Sequence, residues 1–195
     1  MDIIAENLDI STACELSALG FDKPITSELI ADVSNHIGGD LVVRILEDNA
    51  DIGFATFETY GNLLYLCGIM LKPSVQGRGY AAVVIKYAQE ITQSKYLALR
   101  TQNPKMWSVG KKMCGIWLPE IHSNSGNLLP KEALDNLQSS KGLQHPIDIG
   151  CYGGPLYGTK PIHRNGTIQQ WWDGICNFER GDGVVCIGLL NPTHN

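Results

Sequence analysis

The stretch Cys67–Ala88, CGIMLKPSVQGRGYAAVVIKYA, decides the fold. Its apolar start reads as a strand, Lys72 to Ser74 as a proline turn, Gln76 to Gly79 as a glycine-spaced loop, and Tyr80 onward as an amphipathic helix. Gly77 and Gly79 have no Cβ to hold an anion away from the backbone. A helix opening at Tyr80 would aim unpaired N–H donors and its positive dipole end at the same point. The expected feature is a cradle for a pyrophosphate.

Gly77, Gly79 and Ala82 satisfy the G-x-G-x-x-A form of the dinucleotide fingerprint, a weak signal alone. That fold needs its first glycine at the strand end and an acidic residue about 20 residues on for the ribose. Here Lys72 to Gln76 intervene, and the next strand ends in Arg100-Thr101-Gln102. A Walker loop is excluded because no Gly-Lys-Ser/Thr follows.

Working outward, Ser11 is expected to cap a helix through Leu19, and Pro24 to His36 to form a second, with Ile25, Leu29, Ile30 and Val33 at helical spacing and Gly38-Gly39 as the stop. Leu41 to Leu46 and Ile52 to Thr59 read as strands joined by Glu47-Asp48-Asn49, and Tyr60-Gly61-Asn62 returns the chain into Leu63 to Leu71. The helix Tyr80 to Gln93 would show Val83, Val84, Tyr87, Ala88 and Ile91 to a sheet, with a strand at Tyr96 to Thr101 in parallel or splayed pairing. Helices are expected over Pro104 to Cys114, Pro130 to Leu137 and Thr167 to Phe178, and a last strand over Val184 to Leu190. The fold class is therefore α/β (α+β), a mixed, largely antiparallel central sheet flanked by helices. Residues 1–195 are expected to be one domain, with a core of about 1–114 plus the final strand 183–190, and 115–182 as an elaboration.

At 195 residues and 44% hydrophobic content the chain can bury one core. A net charge of -5, with no basic run longer than Lys111-Lys112, argues against nucleic acid or an anionic membrane as partner and suits a cationic substrate. Cys14, Cys67, Cys114, Cys151, Cys176 and Cys186 form no C-x-x-C pair, so no metal site and no disulfide framework is expected. The acidic N-terminus and the lack of a spanning apolar run lead to the expectation of a cytoplasmic protein.

Gln76-Gly77-Arg78-Gly79-Tyr80-Ala81 resembles the Q/R-x-x-G-x-G/A loop of the GNAT superfamily of N-acetyltransferases, and Leu71-x-Pro73 resembles the end of that family's splayed fourth strand. More loosely, the likeness runs from Asp40 to Cys114. It implies acetyl-CoA as co-substrate and transfer of its acetyl group to a primary amine in a ternary complex. The pantetheine arm would lie on Cys67 to Leu71, including Ile69, Met70 and Leu71. The pyrophosphate would lie on Gln76, Gly77, Arg78, Gly79, Tyr80 and Ala81. Asn103, after the fifth strand, would line the channel.

The proton-handling residues of the family are less complete. The strand position at which some members carry a catalytic glutamate is Tyr65 here, a poor base, so Glu58 on the neighbouring strand is the expected base, with His122 and His163 as further candidates. Gly110 and Lys111 stand where the family's acid, a Tyr, would be; Tyr152 or Tyr157 from the glycine-rich tail is expected to replace it or simply to pack on the core. Trp107, Trp117, Trp171 and Trp172 read as core or pocket wall. Two other functions stay open: a non-catalytic acyl-CoA-binding sensor or partner module, and a dinucleotide-binding protein. The motifs do not single out an acceptor amine, and the oligomeric state is open, a homodimer included.

Overall fold

In the computed structural model, residues 1–121, 131–143 and 146–192 are described. They build an eight-stranded sheet in the order β1-β2-β3-β4-β5-β8-β6, with β7 also paired to β8. The strands are β1 (Asp2–Ala5), β2 (Leu41–Glu47), β3 (Ala50–Tyr60), β4 (Leu63–Leu71), β5 (Tyr96–Thr101), β6 (Cys114–Leu118), β7 (Ile147–Asp148) and β8 (Gly183–Leu190). Among the described residues only β4 and β5 pair in parallel; the other pairs are antiparallel. The helices are α1 (Ile10–Phe21), α2 (Ser27–His36), α3 (Tyr80–Thr92), α4 (Pro104–Met113), α5 (Lys131–Lys141) and α6 (Gly166–Ile175). Among the described residues no helix is long and apolar enough to cross a membrane.

Strand alternation divides the core. On β5, Leu97 and Leu99 join the cluster under α3, α4 and α6, whereas Tyr96 and Ala98 join the one under α5. A third cluster, with Ala13, Leu16, Val33, Phe54 and Met70, lies between α1, α2 and β2 to β4. Three of the four tryptophans, Trp107, Trp117 and Trp172, are buried in the first cluster, and the half-buried Trp171 packs against it, its ring 5.1 Å from Trp107.

The central expectations agree with the structure, and the differences have local causes. α1 starts at Ile10 rather than after Ser11, because the Asp9 carboxylate accepts from Thr12 N–H at 2.9 Å and is the better cap. α2 starts at Ser27, capped by the Thr26 hydroxyl on Leu29 N–H, so Ile25 stays outside it and is exposed, as is Ile30. The β2–β3 connection shortens to Asp48-Asn49, both with φ above 50°, the conformation a two-residue hairpin requires.

α3 buries Val84, Ile85, Ala88 and Gln89 and leaves Val83 and Ile91 exposed, a face rotated by about one residue. The polar Gln89 is accommodated because its side-chain amide donates to the Asn191 carbonyl. β1 and β6 add to the expected strands. β6 begins where α4 ends, and it and β7 show that residues between 115 and 182 contribute to the same sheet. α5 begins by Lys131, whereas Pro130 lies outside the described residues.

Candidate functional site

β4 pairs with β5 only over Leu63–Leu66 against Tyr96–Leu99. Beyond Leu66, β5 continues against β8 and β4 against β3, so one edge of Cys67 to Leu71 faces an open wedge. A bulge marks the start of the wedge: Thr56 is opposite Gly68 and Phe57 opposite Leu66, which leaves Cys67 as the extra residue. An unpaired strand edge of this kind accepts an extended ligand as an added strand.

The wedge opens toward the loop foreseen as a cradle. Gly77 and Gly79 have φ of 79° and 89°, and a Cβ on either would point into open space. Gly79 is the N-cap of α3 with no side-chain cap, and among the described residues no acceptor is bonded to the N–H groups of Gly77 through Ala81. Around it the loop is braced: Gln76 Nε2 donates to the Leu71 carbonyl at 3.0 Å and Arg78 donates to Ser74 O at 3.0 Å. Unpaired donors beside a helix N-terminus are the features that an anion site requires.

On the β5 side of the wedge sits the glycine-rich tail. Tyr152 Oη donates to the Arg100 carbonyl at 3.1 Å, and Leu156 N–H to Gln102 Oε1 at 2.7 Å. Gly158 N–H bonds the Phe21 carbonyl at 2.7 Å; a Cβ there would collide with the backbone of Asp22. The Tyr157 ring meets Phe21 edge-on with centroids 5.5 Å apart. Burial pushes the Tyr157 pKa up, and the nearby Asn103 and Thr101 side chains pull part of that back. Asn103 Oδ1 caps α4 by accepting from Lys105 N–H at 3.0 Å. This segment joins the end of α1 to the end of β5.

Glu58 and Tyr65 are directly opposite in the β3–β4 register. Glu58 Oε2 accepts from Tyr60 Oη at 2.6 Å and from Lys141 Nζ, at the end of α5, at 2.6 Å. The Lys141 ammonium also stands 4.9 Å from the Tyr65 ring centroid. Burial would raise the Glu58 carboxyl, but the Lys141 ammonium and the Tyr60 hydroxyl outweigh it, and its pKa lies below the ordinary glutamate value. Burial raises the Tyr65 hydroxyl well above its usual value, so it is a worse base still. The Cys67 thiol, beside the same carboxylate, is pushed up to about 12 by burial and by Glu58.

His163 is not in this group. Its Nε2 is bonded to Ser108 of α4 at 2.9 Å and its Nδ1 accepts from Asn165 N–H at 3.0 Å, so both ring nitrogens are engaged on the α4 side of the sheet. His122 lies outside the described residues.

The model of the acetyltransferase (GNAT) family matches residues 10–116, more than half of the chain. The chain belongs to the GNAT acetyltransferase family. No match was found among curated protein sequences. Among solved structures, this GNAT protein is similar to an aminoglycoside 6'-acetyltransferase type Ii, at 10% identity over 100% of both chains with a TM-score of 0.52. An aminoglycoside 6'-N-acetyltransferase complexed with coenzyme A gives the same values. The ribosomal-protein-S18-alanine N-acetyltransferase from Escherichia coli aligns at 13% identity over 99% of this chain and 96% of that one, with a TM-score of 0.49. At such identities the likeness is one of fold alone.

Within this GNAT fold the expected residues separate into two groups. Ile69, Met70, Leu71 and Gln76 to Ala81 line the wedge and the loop, and Asn103 follows β5, the strand on the wedge's other side. Glu58 and Tyr65 sit where the wedge closes. Sequence reasoning missed Tyr60 and Lys141. Tyr60 is two residues from Glu58 on one strand, so period-two alternation places them on one face. Lys141 carries no local signal.

Proposed function

We propose that the protein transfers an acetyl group from acetyl-CoA to a primary amine in a ternary complex, with no covalent enzyme intermediate. The observation that carries this reading is the open edge of β4 running into the N–H-rich loop at Gly77 to Ala81. The edge would hold the pantetheine arm and the loop the pyrophosphate, a ligand extended in one direction with an anion at one end. A dinucleotide reading lacks any such use for the wedge.

Orientation at such a site can supply roughly 7 to 11 kcal/mol of a barrier. Deprotonating a lysine-like amine at pH 7 costs about 4.6 kcal/mol. Orientation outweighs deprotonation, so a strong base is not required. Glu58, partly exposed and ionised, seats the ammonium and receives its proton through water; Tyr65 offers its ring. As the amine nitrogen bonds to the thioester carbon, it gives up its second proton to solvent; as the C–S bond breaks, the leaving sulfur takes a proton from Tyr157, which burial keeps protonated and which solvent then restores.

Lys141 on Glu58 is the observation that favours a non-catalytic acyl-CoA-binding module, because it engages the carboxylate. Two measurements decide. Acetyl-CoA and CoA, but not NAD, are expected to raise the melting temperature, with about 2.7 kcal/mol of stabilisation at 100 times the dissociation constant. Thiol release with a panel of primary amines then separates the enzyme from the binding module.

A further inference from the structure

We propose that Lys141 is itself an acetylation site, modified in cis by the acetyl-CoA bound to the same chain. The inference rests on the acetyl-CoA reading above.

Lys141 Nζ is held from two sides, by Glu58 Oε2 at 2.6 Å and by the Tyr65 ring at 4.9 Å, with Tyr60 Oη bonded to the same carboxylate oxygen. A carboxylate and an aromatic face are a seat for a primary ammonium. Its position on the wedge follows from the strand register. A ligand whose anion lies at Gly77 to Ala81 must run back along β4 toward Cys67, because Leu66 is already paired to Leu99. Its reactive end therefore stops at the Cys67 bulge. Cys67 lies two residues beyond Tyr65, the residue opposite the Glu58 that Lys141 occupies, so the seated amine and the end of the arm fall on the same stretch of β4.

The step balances within the chain and its substrate. The Lys141 ammonium releases a proton to water through Glu58, the neutral Nζ attacks the thioester carbon, and an N–C bond forms as the nitrogen gives up a second proton to solvent. The C–S bond breaks, the sulfur takes the Tyr157 proton, and solvent restores the tyrosine. The products are CoA and an Nε-acetyl-Lys141 that carries no charge. Its ion pair with Glu58 is lost, which frees the carboxylate for an external primary ammonium.

The test incubates the full-length protein with acetyl-CoA and no acceptor, and maps acetyl-lysine by peptide mass spectrometry against time. One acetyl group per chain is expected, on Lys141, at least about tenfold faster than on the exposed Lys86 and Lys105, because only Lys141 is positioned. Its rate is expected to saturate with acetyl-CoA, to be independent of protein concentration, to vanish in Gly79→Val, and to leave Lys141→Arg unmodified at the seat. Label spread evenly over the lysines, undiminished Lys141 labelling in Gly79→Val, or a rate proportional to protein concentration would overturn the proposal. A thermal shift with acetyl-CoA is run in parallel. If the shift appears and Lys141 stays unmodified, this inference alone fails; if acetyl-CoA gives no shift, the reading beneath it fails as well.

Discussion

Valine in place of Gly79 perturbs the cradle with little direct effect on packing. Gly79 has φ of 89° and nothing lies within 4 Å of a Cβ added there, so the substitution meets no steric neighbour in the protein. Its cost to the fold is the left-handed backbone alone, about 1 to 2 kcal/mol. In a chain of this size that lowers the melting temperature by roughly 2 to 8 °C, leaving the protein folded against a total stability of about 5 to 15 kcal/mol. The branched side chain points where the anion would sit and displaces it from the N–H groups around Tyr80. Losing two charge-assisted hydrogen bonds, each worth about 1.5 to 3 kcal/mol, weakens acetyl-CoA binding by roughly 10² to 10⁴. Gly61→Val is the control: Gly61 is also left-handed, with φ of 59°, and also has room for a Cβ, but it lies at the other end of β4. Calorimetric titration of acetyl-CoA into both variants, after each is melted, is the assay. A folded Gly79→Val protein with unchanged affinity, or an equal loss in Gly61→Val, refutes the assignment of the anion to this loop.

Tyr157→Phe removes the hydroxyl proposed as the acid and is expected to lower kcat by about 10²-fold with the KM for acetyl-CoA little changed; steady-state kinetics showing full kcat would return the acid role to another group. Glu58→Gln keeps the shape and removes the charge that seats the ammonium, so the KM for the amine should rise and kcat fall by about 10²-fold, while activity of both proteins climbs toward alkaline pH as the amine deprotonates. Asp182 is fully buried, accepts from Gly150 N–H and Asn177 N–H and is paired with Arg180, whose guanidinium is the main cause of a carboxyl pKa lowered from 3.8 to about 2. A depressed carboxyl pKa stabilises the fold above pH 4, on the order of 2 kcal/mol, and that stability is lost as pH falls through about 2. Denaturant titrations of Asp182→Asn at a series of pH values should therefore show a lower plateau at neutral pH and a flatter acid limb than the parent.

The Cys67–Ala88 stretch is legible because its signals are local. A strand that ends in proline, two glycines that must take positive φ, and a helix with 3.6-residue periodicity each act over a few residues, and together they specify the cradle, the β4–α3–β5 crossover and the family. The buried face of α3 differs from its expected one because apolar spacing does not say which side the sheet covers, and Gln89 enters the core only through a bond to Asn191, 102 residues away. The wedge is a matter of pairing: nothing in Cys67 to Leu71 differs from an ordinary buried strand, and its free edge exists because the β4–β5 pairing stops at Leu66 and Leu99.

The chemistry around the wedge depends on contacts still more distant. Glu58 could be picked out by its place opposite Tyr65, but its engagement by Lys141 joins residues 83 apart and lowers the carboxyl pKa that a base would need raised. Tyr152 and Leu156 reach Arg100 and Gln102 only because the glycine-rich segment folds back between α1 and β5. By itself the sequence determined most of the elements and the glycine loop, since turn chemistry and periodicity are short-range, but not β1, β6 or β7. Only the tertiary structure decided which amine, carboxylate and hydroxyl share the site, since long-range packing alone brings such side chains within hydrogen-bond reach.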